Sequence, residues 1–93
     1  MASEILKITD DITSSFVELL HREVDSLLDD GIFEITFDMG AVEIVDSTGI
    51  GFIIRVQNSL KQKGGALKLR SVNSDILKMM KIMRLDKHFS IEE

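Results

Sequence analysis

The chain has 93 residues and a formal net charge of −5, from 16 acidic and 11 basic side chains, and it contains no cysteine. This length supports one domain with a single core, and the absence of cysteine excludes disulfides and thiolate chemistry. The acidic balance argues against nucleic acid as the main partner, and the lack of a signal peptide or of an apolar run of ~20 residues predicts a soluble, cytoplasmic protein without membrane insertion.

The first half of the chain predicts a strand, a helix and a second strand. Apolar residues within 5–8 indicate a short first strand. Ser15-x-x-Glu18 has the form of a capping box and predicts a helix start there. Apolar side chains then recur at helical spacing until residues 29–31: Phe16, Leu20, Val24, Leu27 and Leu28. Residues 32–38 alternate between apolar and polar side chains, which is typical of a strand.

The middle of the chain predicts a loop, a second helix and a third strand. Residues 39–45 form the connecting loop, and a helical pattern covers about residues 48–63. Gly64-Gly65 closes this helix. Leucines within 67–69 alternate with basic residues and indicate the third strand.

The C-terminal part predicts a third helix and a last strand. Asn73 or Ser74 is suited to cap a helix over residues 75–85, and residues 88–91 indicate a short strand. Strands that alternate with helices imply βαβ units with right-handed crossovers. We therefore expect an α/β fold, a single domain over residues 1–93 with a mostly parallel mixed sheet of about four strands and helices packed on it.

The segment Val-Asp-Ser-Thr-Gly-Ile-Gly at residues 45–51 carries most of the functional information. It places Ser47 where the second helix begins, directly after Asp46. A phosphate on this serine would meet free backbone N–H groups and the positive end of a helix dipole. The segment therefore indicates a phosphorylation switch at Ser47.

Gly49 and Gly51 lie in the first turns of this helix, where each glycine costs about 1 kcal/mol relative to alanine. One explanation is close packing of the helix start, with Asp46 or Ser47 acting as the N-cap. The other is that small residues leave the Ser47 hydroxyl approachable by the active site of another protein. The residues alone do not decide between the two.

The segment Asp-Ser-Thr-Gly-Ile-Gly at residues 46–51, after a strand and before an amphipathic helix, resembles the signature of the bacterial anti-sigma factor antagonists, the STAS domain family. Three other segments are similar to the family: Asp11-Ile12-Thr13, residues 32–38 and residues 63–69. The resemblance extends over most of the chain and implies a STAS-like domain. In this family the serine directly after the aspartate accepts the phosphate, which implies Ser47 here.

The resemblance also implies a partner-switching cycle. In the family, the unphosphorylated antagonist binds an anti-sigma factor that is also a serine kinase, an ATPase-domain protein, and so frees a sigma factor or another regulated target. The kinase phosphorylates the serine with ATP, the complex dissociates, and a PP2C-type phosphatase restores the binding form. The chain would then be a phosphoprotein in signal transduction and transcription regulation, a substrate and a ligand without cofactor, metal or enzymatic activity.

The family resemblance, together with the helical spacing after Ser47, predicts a switch loop and a partner-binding set around the phosphate acceptor. We assign to it these residues: Asp46, Thr48, Gly49, Ile50, Gly51, Ile54 and Thr13. The chain departs from the family at two points. Only residues 1–8 precede Thr9, enough for one strand where relatives have two antiparallel ones, and Thr13 stands where relatives often carry an aspartate.

The periodicity of the second helix predicts its faces. At 100° per residue, one row should meet the sheet: Gly49, Ile53, Val56 and Leu60. Ile50 and Ile54 fall to one side, beside Gln57 and Lys61. This apolar pair is a candidate contact surface next to Ser47, although both residues could equally belong to a wide core face.

Two other functions remain as alternatives. The first keeps the fold without the switch, as a STAS scaffold or sensor subunit of a signalling complex. The second is a small hydrolase, but Ser47 lacks a neighbouring histidine and a Gly-x-Ser-x-Gly elbow. His21 and His88 stand alone, so a metal site is not expected. The sequence leaves the oligomeric state and the identities of the kinase and phosphatase open.

Overall fold

Four strands and three helices alternate along the chain in the computed structural model, which describes residues 2–92. Met1 and Glu93, the two ends of the predicted domain, lie outside the described residues. The elements in chain order are β1 (Ser3–Lys7), α1 (Ser14–Asp29), β2 (Glu34–Asp38), α2 (Ser47–Gln62), β3 (Ala66–Arg70), α3 (Ser74–Ile82) and β4 (Ser90–Glu92).

The four strands form one sheet in the order β1-β2-β3-β4, and every neighbouring pair is parallel. Each helix therefore connects two adjacent parallel strands, and right-handed crossovers place all three helices on the same face. The predicted α/β class is confirmed. The expected sheet of about four mostly parallel strands with helices packed on it is confirmed as well, and within the described residues every strand pair is parallel.

The two faces of the sheet differ in burial, as the alternation in the sequence predicts. The side chains of Ile35, Phe37, Leu67 and Leu69 point towards the helices and are almost completely buried in the core. The opposite face carries mostly polar side chains that are exposed or half-buried. We call it the open face, and it comprises Ser3, Ile5, Lys7, Glu34, Thr36, Asp38, Ala66, Lys68, Arg70, Ser90 and Glu92.

The first helix begins at Ser14, and its N-cap lies two residues before the predicted cap at Ser15. Its N-cap is Thr13, whose side chain makes no capping hydrogen bond. The Thr13 hydroxyl lies instead 3.1 Å from the Ser15 hydroxyl. The prediction of Ser15 as the cap is therefore wrong. The backbone N–H of Ser14, the first residue of α1, donates instead to the side chain of Asp46, which lies 32 residues away.

The second helix packs on the sheet with the predicted row, since Gly49, Ile53, Val56 and Leu60 are all buried. Gln57 is buried too, with only 3% of its surface exposed, although its polar side chain suggested a mixed flank. Its amide oxygen accepts the backbone N–H of Leu67, and its amide nitrogen donates to the carbonyl of His88. Gln57 thus ties α2 to β3 and to the segment before β4.

Candidate functional site

The candidate phosphate acceptor Ser47 is the first residue of α2 and is exposed to solvent. Asp46 precedes it as the N-cap, in an extended backbone conformation. Thr48 follows in the first turn and is exposed as well. A helix start leaves its first N–H groups without intrahelical acceptors. The Ser47 hydroxyl therefore stands at the positive end of the helix, accessible from outside.

Both carboxylate oxygens of Asp46 are engaged by backbone donors. Oδ1 accepts the N–H of Gly49 at 2.8 Å, which is the expected capping bond of α2. Oδ2 accepts the N–H of Ser14, the first residue of α1, at 3.1 Å. One side chain thus serves the N-termini of two helices, and it supplies the acceptor that Thr13 does not provide.

The loop before Asp46 is held by residues 11–12 at the start of α1. The Asp11 carboxylate accepts the N–H groups of Glu43 and Ile44, at 2.9 and 3.2 Å. The Ile12 N–H donates to the Ile44 carbonyl, and the Asp46 N–H donates to the Ile12 carbonyl. These bonds align the two segments like a short parallel ladder, so the position of Ser47 is fixed on its N-terminal side. The role of Asp11 was not predicted, because its partners lie more than thirty residues away.

The two glycines of the motif differ in their surroundings. A Cβ on Gly49 would overlap the Ile12 carbonyl and approach the Val45 side chain, so this position requires glycine for close packing. A Cβ on Gly51 would meet nothing within 4 Å. Packing therefore explains Gly49 but not Gly51, whose small size leaves open space one helical turn from Ser47.

The apolar residues beside Ser47 are distributed differently from the predicted pair. Ile50 is only 5% exposed and belongs to the core, and Ile54 is half-buried against it. Ile44, three residues before Ser47, is 57% exposed. Together with Met79 it lines a shallow groove of about 260 Å³ between the loop and α3. The exposed apolar surface near the serine is thus supplied by the loop, which sequence periodicity could not indicate.

The surroundings of Ser47 contain no histidine hydrogen bond among the described residues. His21 pairs with Asp25 along α1 at 3.5 Å, and His88 lies against Phe89. Neither contact brings an imidazole to the serine hydroxyl.

The comparison with protein families finds one model, described as "Mlab, STAS domain", that matches residues 2–92. No curated protein sequence matches the chain significantly. No helix within residues 2–92 is long and apolar enough to cross a membrane.

Several solved structures share the fold. A candidate anti-sigma factor antagonist from Thermotoga maritima (TM1081) is 26% identical, with a TM-score of 0.90 over 96% of this chain and 77% of that one. The anti-sigma factor antagonist SpoIIAA, in its unphosphorylated form, is 14% identical, with a TM-score of 0.74 over 96% and 77% of the two chains. A sulfate transporter family protein from Wolinella succinogenes is 19% identical, with a TM-score of 0.77 over 96% and 75%. The latter two likenesses concern the fold alone.

Proposed function

The chain belongs to the STAS domain family, and we propose that it is a phosphorylatable anti-sigma factor antagonist that changes partner when Ser47 is phosphorylated. The strongest support is that Ser47 is exposed at the first position of α2. It directly follows Asp46, whose two carboxylate oxygens both accept backbone N–H groups. The overall likeness to the Thermotoga maritima protein agrees with it. A sulfate transporter family protein shares the fold, so the fold by itself does not carry the proposal.

In the proposed cycle the chain is a ligand and a substrate rather than an enzyme. The unphosphorylated form binds an anti-sigma serine kinase with an ATPase domain and so frees the target of that kinase. Transfer of the ATP γ-phosphate to the Ser47 hydroxyl causes the complex to dissociate, and a PP2C-type phosphatase regenerates the binding form. All of these steps take place in the cytoplasm.

The magnitude of the switch can be estimated from the charge that phosphorylation adds. A 100-fold loss of affinity needs about 2.7 kcal/mol. A phosphoserine adds about −1.5 to −2 charges, but its repulsion from Asp46, about 1 kcal/mol across ~6 Å of water-like dielectric, acts in the free and the bound chain alike and does not weaken binding. Desolvation of the phosphoserine dianion beneath a bound partner, by contrast, costs several kcal/mol of binding free energy. Burial of Ser47 in the complex is therefore what makes the switch effective.

The surface that the partner covers is proposed to extend from Ser47 in two directions. Ile44 and Met79 offer an apolar contact on the side of the loop and α3. Gly51 offers an open space on the side of α2 into which a partner side chain can fit. The exposed Thr48 beside Ser47 and the partly buried Thr13 and Ile54 complete the proposed surface. Ile50 contributes from the core, by supporting the start of the helix.

The test begins with the partner itself. The native protein and its Ser47→Asp variant are used to capture proteins from the source cells, and an ATPase-domain protein held by the first but not the second is expected. That protein is then purified and incubated with ATP and either the native chain, Ser47→Ala or Thr48→Ala. Phosphate on Ser47 in the native chain and in Thr48→Ala, but not in Ser47→Ala, would support the proposal. If both forms capture the same partners and no phosphate is transferred, the chain is a constitutive STAS scaffold instead.

A further inference from the structure

The open face is the side of the sheet that no helix covers within residues 2–92. Parallel sheets in α/β proteins are almost always covered on both faces. Here the three crossover helices occupy one face, so the other is available to a further layer. The pattern of charge on the open face indicates which layer would fit.

One row of the open face carries four charges of alternating sign. The parallel register places Lys7 beside Asp38, Asp38 beside Arg70, and Arg70 beside Glu92, one residue from each strand. The inner pair is in contact, with Arg70 Nη2 3.6 Å from Asp38 Oδ2. The outer charges, Lys7 and Glu92, are exposed on the two edge strands, so each has an opposite charge on one side only.

We propose that the open face packs against the open face of a second copy of this chain. A two-fold axis parallel to the strands reverses the strand order while it keeps the rows aligned. The row of signs, plus-minus-plus-minus, then meets its own reverse, minus-plus-minus-plus. Lys7 faces Glu92 of the second copy and Asp38 faces Arg70 of the second copy, so all four charges find opposite partners.

The neighbouring row is compatible with the same arrangement. Ile5, the large apolar side chain of the open face, is 53% exposed. The two-fold axis brings it opposite Ser90 of the second copy, at the border of a shallow depression of about 260 Å³ that Thr36 and Lys68 also line. The strands of the two sheets remain nearly aligned, as is usual for sheets packed face to face.

The area of the open face determines how tightly the proposed dimer can associate. Three strands of five residues and one of three, about 4.8 Å apart and rising about 3.3 Å per residue, span a flat area on the order of 300 Å² per copy. This is smaller than the ~800 Å² per partner of a standard interface. The dimer should therefore be weak and, because its complementarity is electrostatic, sensitive to salt.

Sedimentation velocity of the full chain, from about 10 μM to about 1 mM protein, tests the proposal in low salt and in about 0.5 M NaCl. The native chain should dimerise with rising concentration and dissociate in high salt. Lys7→Glu and Glu92→Lys should each weaken the dimer at least about ten-fold, since each places like charges opposite one another. The double variant restores opposite charges and should return to within about three-fold of the native affinity.

Control measurements distinguish a loss of the proposed charge pairing from a general effect of net charge or of misfolding. Lys78→Glu, a reversal on the exposed side of α3, should leave dimerisation unchanged. Urea denaturation verifies that every variant is folded. A native chain that stays monomeric at all concentrations would overturn the proposal and leave the face to a different occupant. A double variant no better than the single ones would overturn it as well, because the assigned pairing would then be incorrect.

Discussion

The Asp46 carboxylate accepts the backbone N–H of Ser14 at 3.1 Å, across 32 residues of sequence. The same carboxylate caps α2 through Gly49, so the starts of α1 and α2 are joined by one side chain directly before the candidate phosphate acceptor. The charge of a carboxylate strengthens both bonds. The aspartate of the motif therefore has a structural task that is independent of any partner.

We expect Asp46→Ala to lower the free energy of unfolding by about 2 kcal/mol, the sum of a lost N-cap and a second charge-assisted hydrogen bond. Asp46→Asn keeps one oxygen for Gly49 but faces Ser14 with an amide donor, so about half of that loss is expected. Urea denaturation measures both values. Equal stability of all three proteins would contradict the double role of Asp46.

The two glycines of the motif provide a matched pair. Gly49→Ala should destabilise the fold by about 3 kcal/mol, because its Cβ overlaps the Ile12 carbonyl and the segment must shift. Gly51→Ala has room for its Cβ and should stabilise α2 by up to about 1 kcal/mol, the propensity difference between the two residues. Thermal and urea unfolding measure these opposite signs. A Gly51→Ala variant that is more stable yet binds the kinase less tightly would show that its open space is used by the partner.

Substitutions at Ser47 should separate binding from folding. Its side chain is exposed at the helix start, so we expect Ser47→Ala and Ser47→Asp to stay within about 0.5 kcal/mol of the native stability, with the aspartate favoured by the helix dipole. Against the kinase, Ser47→Ala should bind like the native chain and Ser47→Asp at least about ten-fold more weakly. Calorimetric titration and urea denaturation on the same samples test this. Equal affinity of both variants would argue against the switch.

The exposed Ile44 should contribute to partner binding without supporting the fold. Ile44→Asp places a charge in the proposed apolar contact, and we expect the affinity for the kinase to fall at least about ten-fold. Leu19→Asp is the control, since Leu19 is 50% exposed on α1, away from the motif. Calorimetric titration compares the two variants. Similar losses from both, or from neither, would locate the contact elsewhere.

The buried amide of Gln57 should be worth about 2 kcal/mol. Gln57→Leu has a similar volume but leaves the Leu67 N–H and the His88 carbonyl without their partners. The neighbouring Asn58→Leu, at an exposed position, should have little effect. Urea denaturation measures the difference, and hydrogen exchange should become faster at the Leu67 amide. Unchanged protection of that amide would mean that water replaces the side chain.

Much of the fold could be predicted because it depends on local patterns. Alternation located β2 and β3, and the 3.6-residue period identified the row of α2 that meets the sheet. Of the two caps proposed for α3, Asn73 and Ser74, Asn73 is the N-cap, since its side-chain carbonyl oxygen accepts the N–H of Ile76 within the same turn. Each of these features involves residues that are neighbours in the sequence.

The errors concern contacts between distant segments. The capping box at Ser15 was a reasonable local signal, but Asp46 supplies the acceptor for α1 from 32 residues away. For Ile50 the helical spacing left the core and the contact surface both open, and the structure places it in the core. Gln57 was assigned to a mixed flank because periodicity treats an amide as solvent-facing, whereas this one bonds two backbone groups. Ile44 lies in a loop, where no periodicity applies.

The order of the strands in the sheet is the order of the strands in the chain. Each new strand therefore adds to an edge that already exists, beginning with β2 on β1, and no later strand must insert between two earlier ones. A chain that emerges from the ribosome N-terminus first can accordingly extend its sheet in the direction of synthesis. Since α2 precedes β3 and β4, Ser47 leaves the ribosome before the two strands that complete this sheet, and a kinase that requires the finished surface would act only after β4 has joined it.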